Sequence, residues 1–77
     1  MDGGTWVQRF AAALAVEAPS EVDKTALLSL AAVAANASER LAAPISCWLV
    51  AKSGRPAEDA LALARELAAN NPPGEGG

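Results

Sequence analysis

The chain has no histidine, no tyrosine, one cysteine and only three aromatic residues among its 77. With Cys47 alone an internal disulfide is impossible, and a cysteine zinc site and a histidine-based catalytic triad are excluded with it. Charge is sparse as well: six basic and nine acidic residues leave a net charge of −3. The basic residues stand singly and form no stripe, and the net sign opposes long-range attraction to nucleic acid or an anionic membrane, so neither partner is expected. The longest uncharged stretches, 25–38 and 41–51, fall short of the ~20 residues a bilayer span needs. No basic leader precedes an apolar run at the amino end, and a cytoplasmic location is the expectation. Glycine-rich phosphate cradles, calcium loops and nucleotide fingerprints are missing. Glu17, Glu21 and Asp23 cluster at a loop and offer a divalent cation only a weak hold. These absences argue against catalysis by this chain alone; they assign it no catalytic residue, no metal and no cofactor.

What is abundant is small and apolar. Apolar residues make up 52% of the chain, and 20 of them are alanines, which contribute little buried area each. Nine leucines, five valines, Ile45, Phe10, Trp6, Trp48 and Met1 must fill whatever core exists. Seventy-seven residues allow one domain, and no run alternates at period two for long enough to make a strand. The expected fold is all-α, a small bundle of about four short helices over residues 5–70, with flexible termini at 1–4 and 71–77.

Local signals place the helices. Thr5-x-x-Gln8 matches a capping box, after which Trp6, Phe10 and Leu14 recur every fourth residue up to about Val16, and Ala18-Pro19 ends the element. A second helix begins at Ser20 or Asp23 and runs to about Asn36–Arg40, with Leu27, Leu30, Ala31 and Ala34 on one face. Pro44 suits the first position of a third helix, in which Ile45, Trp48, Leu49 and Lys52 follow at helical spacing and Gly54 is the stop. Arg55-Pro56 opens a fourth, with Glu58 and Asp59 in its first turn and Leu61, Ala64, Leu67 and Ala68 on one face; Asn70-Asn71-Pro72-Pro73 ends it. Residues 36–44 read either as a tight turn or as a kink in a continuous helix. The buried set expected from these faces is Trp6, Phe10, Leu14, Leu27, Leu30, Ala31, Ala34, Ile45, Trp48, Leu49, Leu61, Ala64 and Leu67.

Two groups of residues are candidates for function. Glu39 and Arg40 are the only charges between Lys24 and Lys52. They are either solvent-facing markers of a helix end, or the rim of a shallow polar depression shared with Asn36 and Ser46 that takes an anion or metabolite near Arg40. Trp6 and Trp48 are either core anchors, each with its indole N–H turned to a partner or solvent, or the centre of a protein interface. Because the apolar supply exceeds what so thin a core encloses, a symmetric homodimer is expected. Cys47, with no base beside it, reads as a small buried hydrophobe.

The stretch Leu28-x-Leu30-Ala31, Asn36, Glu39-Arg40, Ala42-Ala43-Pro44-Ile45-Ser46 and Trp48-Leu49 resembles the DUF6457 family of small actinobacterial domains of unknown function. Trp6, Phe10 and Leu14 fit that family's first helix, and the likeness covers residues 5–70. Such domains stand alone or are attached to MobA-type proteins of molybdopterin-guanine dinucleotide biosynthesis. The resemblance therefore implies a place near molybdenum-cofactor biosynthesis and a MobA-type protein as a partner. In the family's pattern acids commonly stand where this chain has Ser29 and Val33, an arginine at Ala32, a histidine at Asn36 and a glycine at Ala51. With that polar cluster gone from helix two, the expectation is a non-catalytic accessory or protein-interaction module; the alternative is a small-molecule or anion-binding module at Asn36, Glu39, Arg40 and Ser46.

Overall fold

The computed structural model of the chain describes residues 1–70; the expected flexible tail at 71–77 lies outside the described residues. It is all-α, with helices α1 (Gly3–Ala13), α2 (Glu21–Ala37), α3 (Ala42–Ser53) and α4 (Ala57–Asn70) and no strand among the described residues. The long α2 is the axis of the fold: α4 packs along one side of it and α3 along another, whereas α1 has no comparably extensive packing against any helix.

Each boundary has a local cause. At α1 the cap is Asp2, not Thr5: the Thr5 N–H donates to Asp2 Oδ1 at 2.8 Å, so Thr5 serves as the third helical residue and the helix starts two residues earlier than the capping-box reading places it. It also stops earlier, at Ala13. The Ala15 N–H donates to the Ala12 carbonyl and the Val16 N–H to the Ala11 carbonyl, both at 3.0 Å, the paired bonds of a Schellman stop. That stop requires a left-handed residue, and here it is Ala15 at φ +60° rather than a glycine. At α2, Ser20 is the cap, its Oγ accepting from the Asp23 N–H at 3.1 Å. The segment before α3 is a turn and not a kink, since Ser38 leaves helical geometry and the Ala42 and Ala43 amides bond back to Glu39 and Arg40. Helix α3 begins two residues before Pro44. Its end is the expected one, at Gly54 with φ +73°, and Ser53 Oγ donates to the Val50 carbonyl at 2.7 Å while accepting from the Arg55 N–H at 3.1 Å.

The core is smaller than the sequence periodicity implied. Among the described residues only Ala11, Ala26, Leu30, Ala57 and Ala60 are buried. Of the expected set, Leu30 is buried, and Leu27, Ala31, Ala34, Leu61 and Ala64 are half-buried. Trp6, Phe10, Leu14, Ile45, Trp48, Leu49 and Leu67 are each at least half exposed, a correction to the core assignment. The reason lies in the close approach of the helices. Alanines set the contacts around Leu30, and small residues let axes come together where a larger side chain would hold them apart. The described chain is elongated, with a radius of gyration of 13.6 Å, above the ~11 Å of a compact domain of this length.

Candidate functional site

The four residues of the expected polar depression are spread over three elements. Asn36 is exposed in the last turn of α2, Glu39 and Arg40 are exposed in the turn that follows, and Ser46 is half-buried in α3. No hydrogen bond or ion pair joins them. A groove of about 440 Å³ does open where the end of α2, the start of α3 and the end of α4 converge, lined by Val33, Ala37, Ala42, Ser46, Ala64 and Ala68 among others. Of the four polar residues only Ser46 reaches it. Its walls are chiefly methyl groups, which suit an apolar occupant better than an anion.

The acidic loop resolves into local helix-start contacts. Glu21 pairs with Lys24 at 2.8 Å and Asp23 gives its amide to Ser20. No group of three or more His, Cys, Asp or Glu among the described residues could hold a metal ion. Asp2 is the one carboxyl among the described residues with a displaced pKa: the hydrogen bonds from the Thr5 backbone and side chain hold it below its ordinary value, against an opposing effect of desolvation.

Many large apolar side chains are exposed. On α1, Trp6, Phe10 and Leu14 form an exposed stripe at four-residue spacing, while Val7 and Ala11 turn inward. The Trp6 and Phe10 rings stack with centroids 5.5 Å apart and planes 10° from parallel. Helix α3 is divided more sharply. Its half-buried residues are Ala42, Ala43, Ser46, Cys47 and Val50, all small to medium. Its exposed side, with Leu41 just before it, carries Ile45, Trp48 and Leu49, and Lys52 lies over the Trp48 ring with Nζ 5.9 Å from the centroid. No α3 residue is fully buried. The large side chains of these two helices thus point away from the interior, which corrects the reading of Trp6 and Trp48 as core anchors. The signal was present in α3: small residues occupy one helical face and large ones the opposite face, and the face toward α2 is the small one.

No helix among the described residues is long and apolar enough to cross a membrane. No curated protein and no solved structure gives a significant match to the chain. The family model described as Domain of unknown function (DUF6457) matches residues 2–75. That match takes in all four helices and the turn carrying Glu39-Arg40 and Pro44, and on it the chain belongs to the DUF6457 family.

Proposed function

We propose that the chain is a non-catalytic protein-interaction module whose working surface for a heterologous partner is the aromatic stripe of α1. The observation that supports this reading is the exposure of Trp6, Phe10 and Leu14 on a helix that leans only lightly on the rest of the fold. Water-exposed apolar stripes of this kind are unfavourable unless a partner covers them. Tryptophan at the centre of such a stripe is a frequent hot spot, where truncation costs about 2 kcal/mol or more of binding. The stacked Trp6–Phe10 pair is already ordered, which reduces the entropy lost on docking. A MobA-type protein is the first partner to test, given where similar domains are attached, and the cytoplasm is the setting proposed with it.

The test is affinity capture from the native host with the wild-type chain and with a Trp6→Ala, Phe10→Ala variant. The expected result is a protein retained by the wild type and lost by the variant, with the helical circular dichroism of both unchanged. Recovery of the chain alone together with a reproducibly co-purifying metabolite would overturn the reading in favour of a small-molecule module.

A further inference from the structure

We infer that the outer face of α3 is a separate docking surface whose occupant is α3 of a second copy, packed antiparallel across a twofold axis. The inference rests on the reading of the chain as an interaction module but uses a different helix from the one assigned to a heterologous partner.

Three observations converge on a second copy. The first is spacing. Leu41, Ile45, Trp48 and Lys52 follow one another at intervals of four, three and four, the alternation that keeps a seam of side chains facing a neighbouring helix. The seam is also symmetric about its own midpoint. In an antiparallel pair centred between Ile45 and Trp48, Ile45 lies opposite Trp48 of the second copy and Leu41 opposite the aliphatic stem of Lys52. An isologous interface requires that every such pairing be reciprocal, and both are.

The second observation is charge. Lys52 is the only charged residue of α3, and Glu39 is the one acid in the turn before it. The antiparallel register brings Lys52 of each copy to the Glu39-Arg40 turn of the other, where Glu39 is the group it can pair with and Arg40 the like charge it must avoid. A parallel arrangement would instead set Lys52 beside Lys52. Antiparallel pairing also opposes the two helix dipoles, a smaller contribution of the same sign.

The third is area. Leu41 (60% exposed), Ile45 (55%), Trp48 (61%) and Leu49 (55%) are uncovered in the single chain. Together they leave roughly 450 Å² per copy to be buried, so that two copies with their Lys52 stems reach about 1,000 Å². With every one of these side chains covered, that is the lower edge of specific interfaces, the size of a reversible dimer rather than an obligate one.

Sedimentation equilibrium on the full chain tests this, from about 1 to about 500 μM. The mass should rise from 7.8 kDa toward twice that value. Ile45→Glu should hold it at the monomer throughout, and Lys52→Glu should weaken association at least about tenfold. The double exchange Glu39→Lys with Lys52→Glu should then restore association to near wild type, because the pairing is re-formed with its signs reversed. A mass fixed at the monomer for the wild type, a dimer indifferent to Ile45→Glu, or a double exchange as weak as Lys52→Glu alone would each overturn the proposal. Ile45, Lys52 and Glu39 are all exposed, and circular dichroism reports directly that each variant keeps its helices. A wild-type chain that stays monomeric while capture through Trp6 is intact would refute this inference and leave the α1 reading standing.

Discussion

Helices α2 and α3 pack against each other, yet they distribute their side chains in opposite ways. In α2 a large residue, Leu30, is almost fully enclosed at 2% exposure and Leu27 and Val33 are half-covered, with Val22 and Leu28 outside, while in α3 Ile45, Trp48 and Leu49 all face outward and Ala42, Ala43, Ser46, Cys47 and Val50 face in. The difference follows from neighbours. Helix α2 has α4 on one side and α3 on another, so a leucine projecting between them is surrounded. Helix α3 has an extensive neighbour on one side only, and small residues there let it come close to α2. Its bulk is then carried on the side with no cover. A hydrophobic residue in this fold is interior or exterior according to how many helices flank its position, and hydropathy by itself does not decide which.

The comparison breaks most visibly if the two faces are truncated in turn. Leu30→Ala should destabilise the chain by about 2–5 kcal/mol, which is comparable with the whole stability of so small a domain. Urea melts at low micromolar concentration are the measurement, and a loss under about 0.5 kcal/mol would mean that Leu30 is not the centre of the core. The larger residue, Trp48, should matter less to the single chain. Trp48→Gln at the same concentration should cost at most about 1 kcal/mol, through the lost Lys52 contact and the covered part of the ring. If Trp48→Gln matched Leu30→Ala in the single chain, the outward assignment of α3 would be wrong.

The all-α class and four helices were legible from capping residues, prolines and Gly54, because those signals act within one turn of the chain. The ends of α2 and the stop of α3 fell close to where Ser20 and Gly54 place them. Legibility failed where a longer-range fact decided. Thr5-x-x-Gln8 is a capping box in form, but Asp2 stands three residues upstream and a carboxylate competes for the same role. Trp6, Phe10 and Leu14 do share a face, and periodicity locates that stripe correctly. Periodicity cannot say whether a neighbour lies under it, and for α1 the inward positions are Val7 and Ala11 instead. Asn36, Glu39, Arg40 and Ser46 fall on the end of α2, the turn and α3, the elements the sequence assigns them to.

Ala15 allows the comparison to be sharpened with the opposite sign. A left-handed alanine carries roughly 1–2 kcal/mol of steric cost that glycine avoids, partly offset by the greater freedom glycine has when unfolded. Ala15→Gly should therefore stabilise the α1 stop by about 0.5–1 kcal/mol. Because α1 packs lightly, the gain should appear as slower amide exchange in α1 more than as a shifted global melt. An equal gain in α2 and α4 would show that α1 is coupled to the core more tightly than its packing indicates.

The smallest effect contrasts the two helix starts. Both α1 and α2 are capped by a side chain that accepts from the third helical amide, but Asp2 titrates and Ser20 does not. The Asp2 pKa is lowered in the folded chain by the Thr5 hydrogen bonds, so the carboxylate form favours folding. Its contribution is complete above the unfolded pKa and is lost as pH falls through the lower folded value, that is, at pH below about 4. The Thr5 amide should accordingly lose protection on acidification, while the Asp23 amide keeps its bond to Ser20 Oγ. Helicity as a whole is a poor readout, because it averages over all four helices. Residue-resolved exchange or temperature coefficients of the Thr5 and Asp23 amides separate the two. In Asp2→Asn the cap accepts the same hydrogen bond without titrating, and the acid sensitivity of the Thr5 amide should vanish. If that amide responded to acid equally in Asp2→Asn and wild type, the sensitivity would belong to other carboxylates and the Asp2 cap would not be its source.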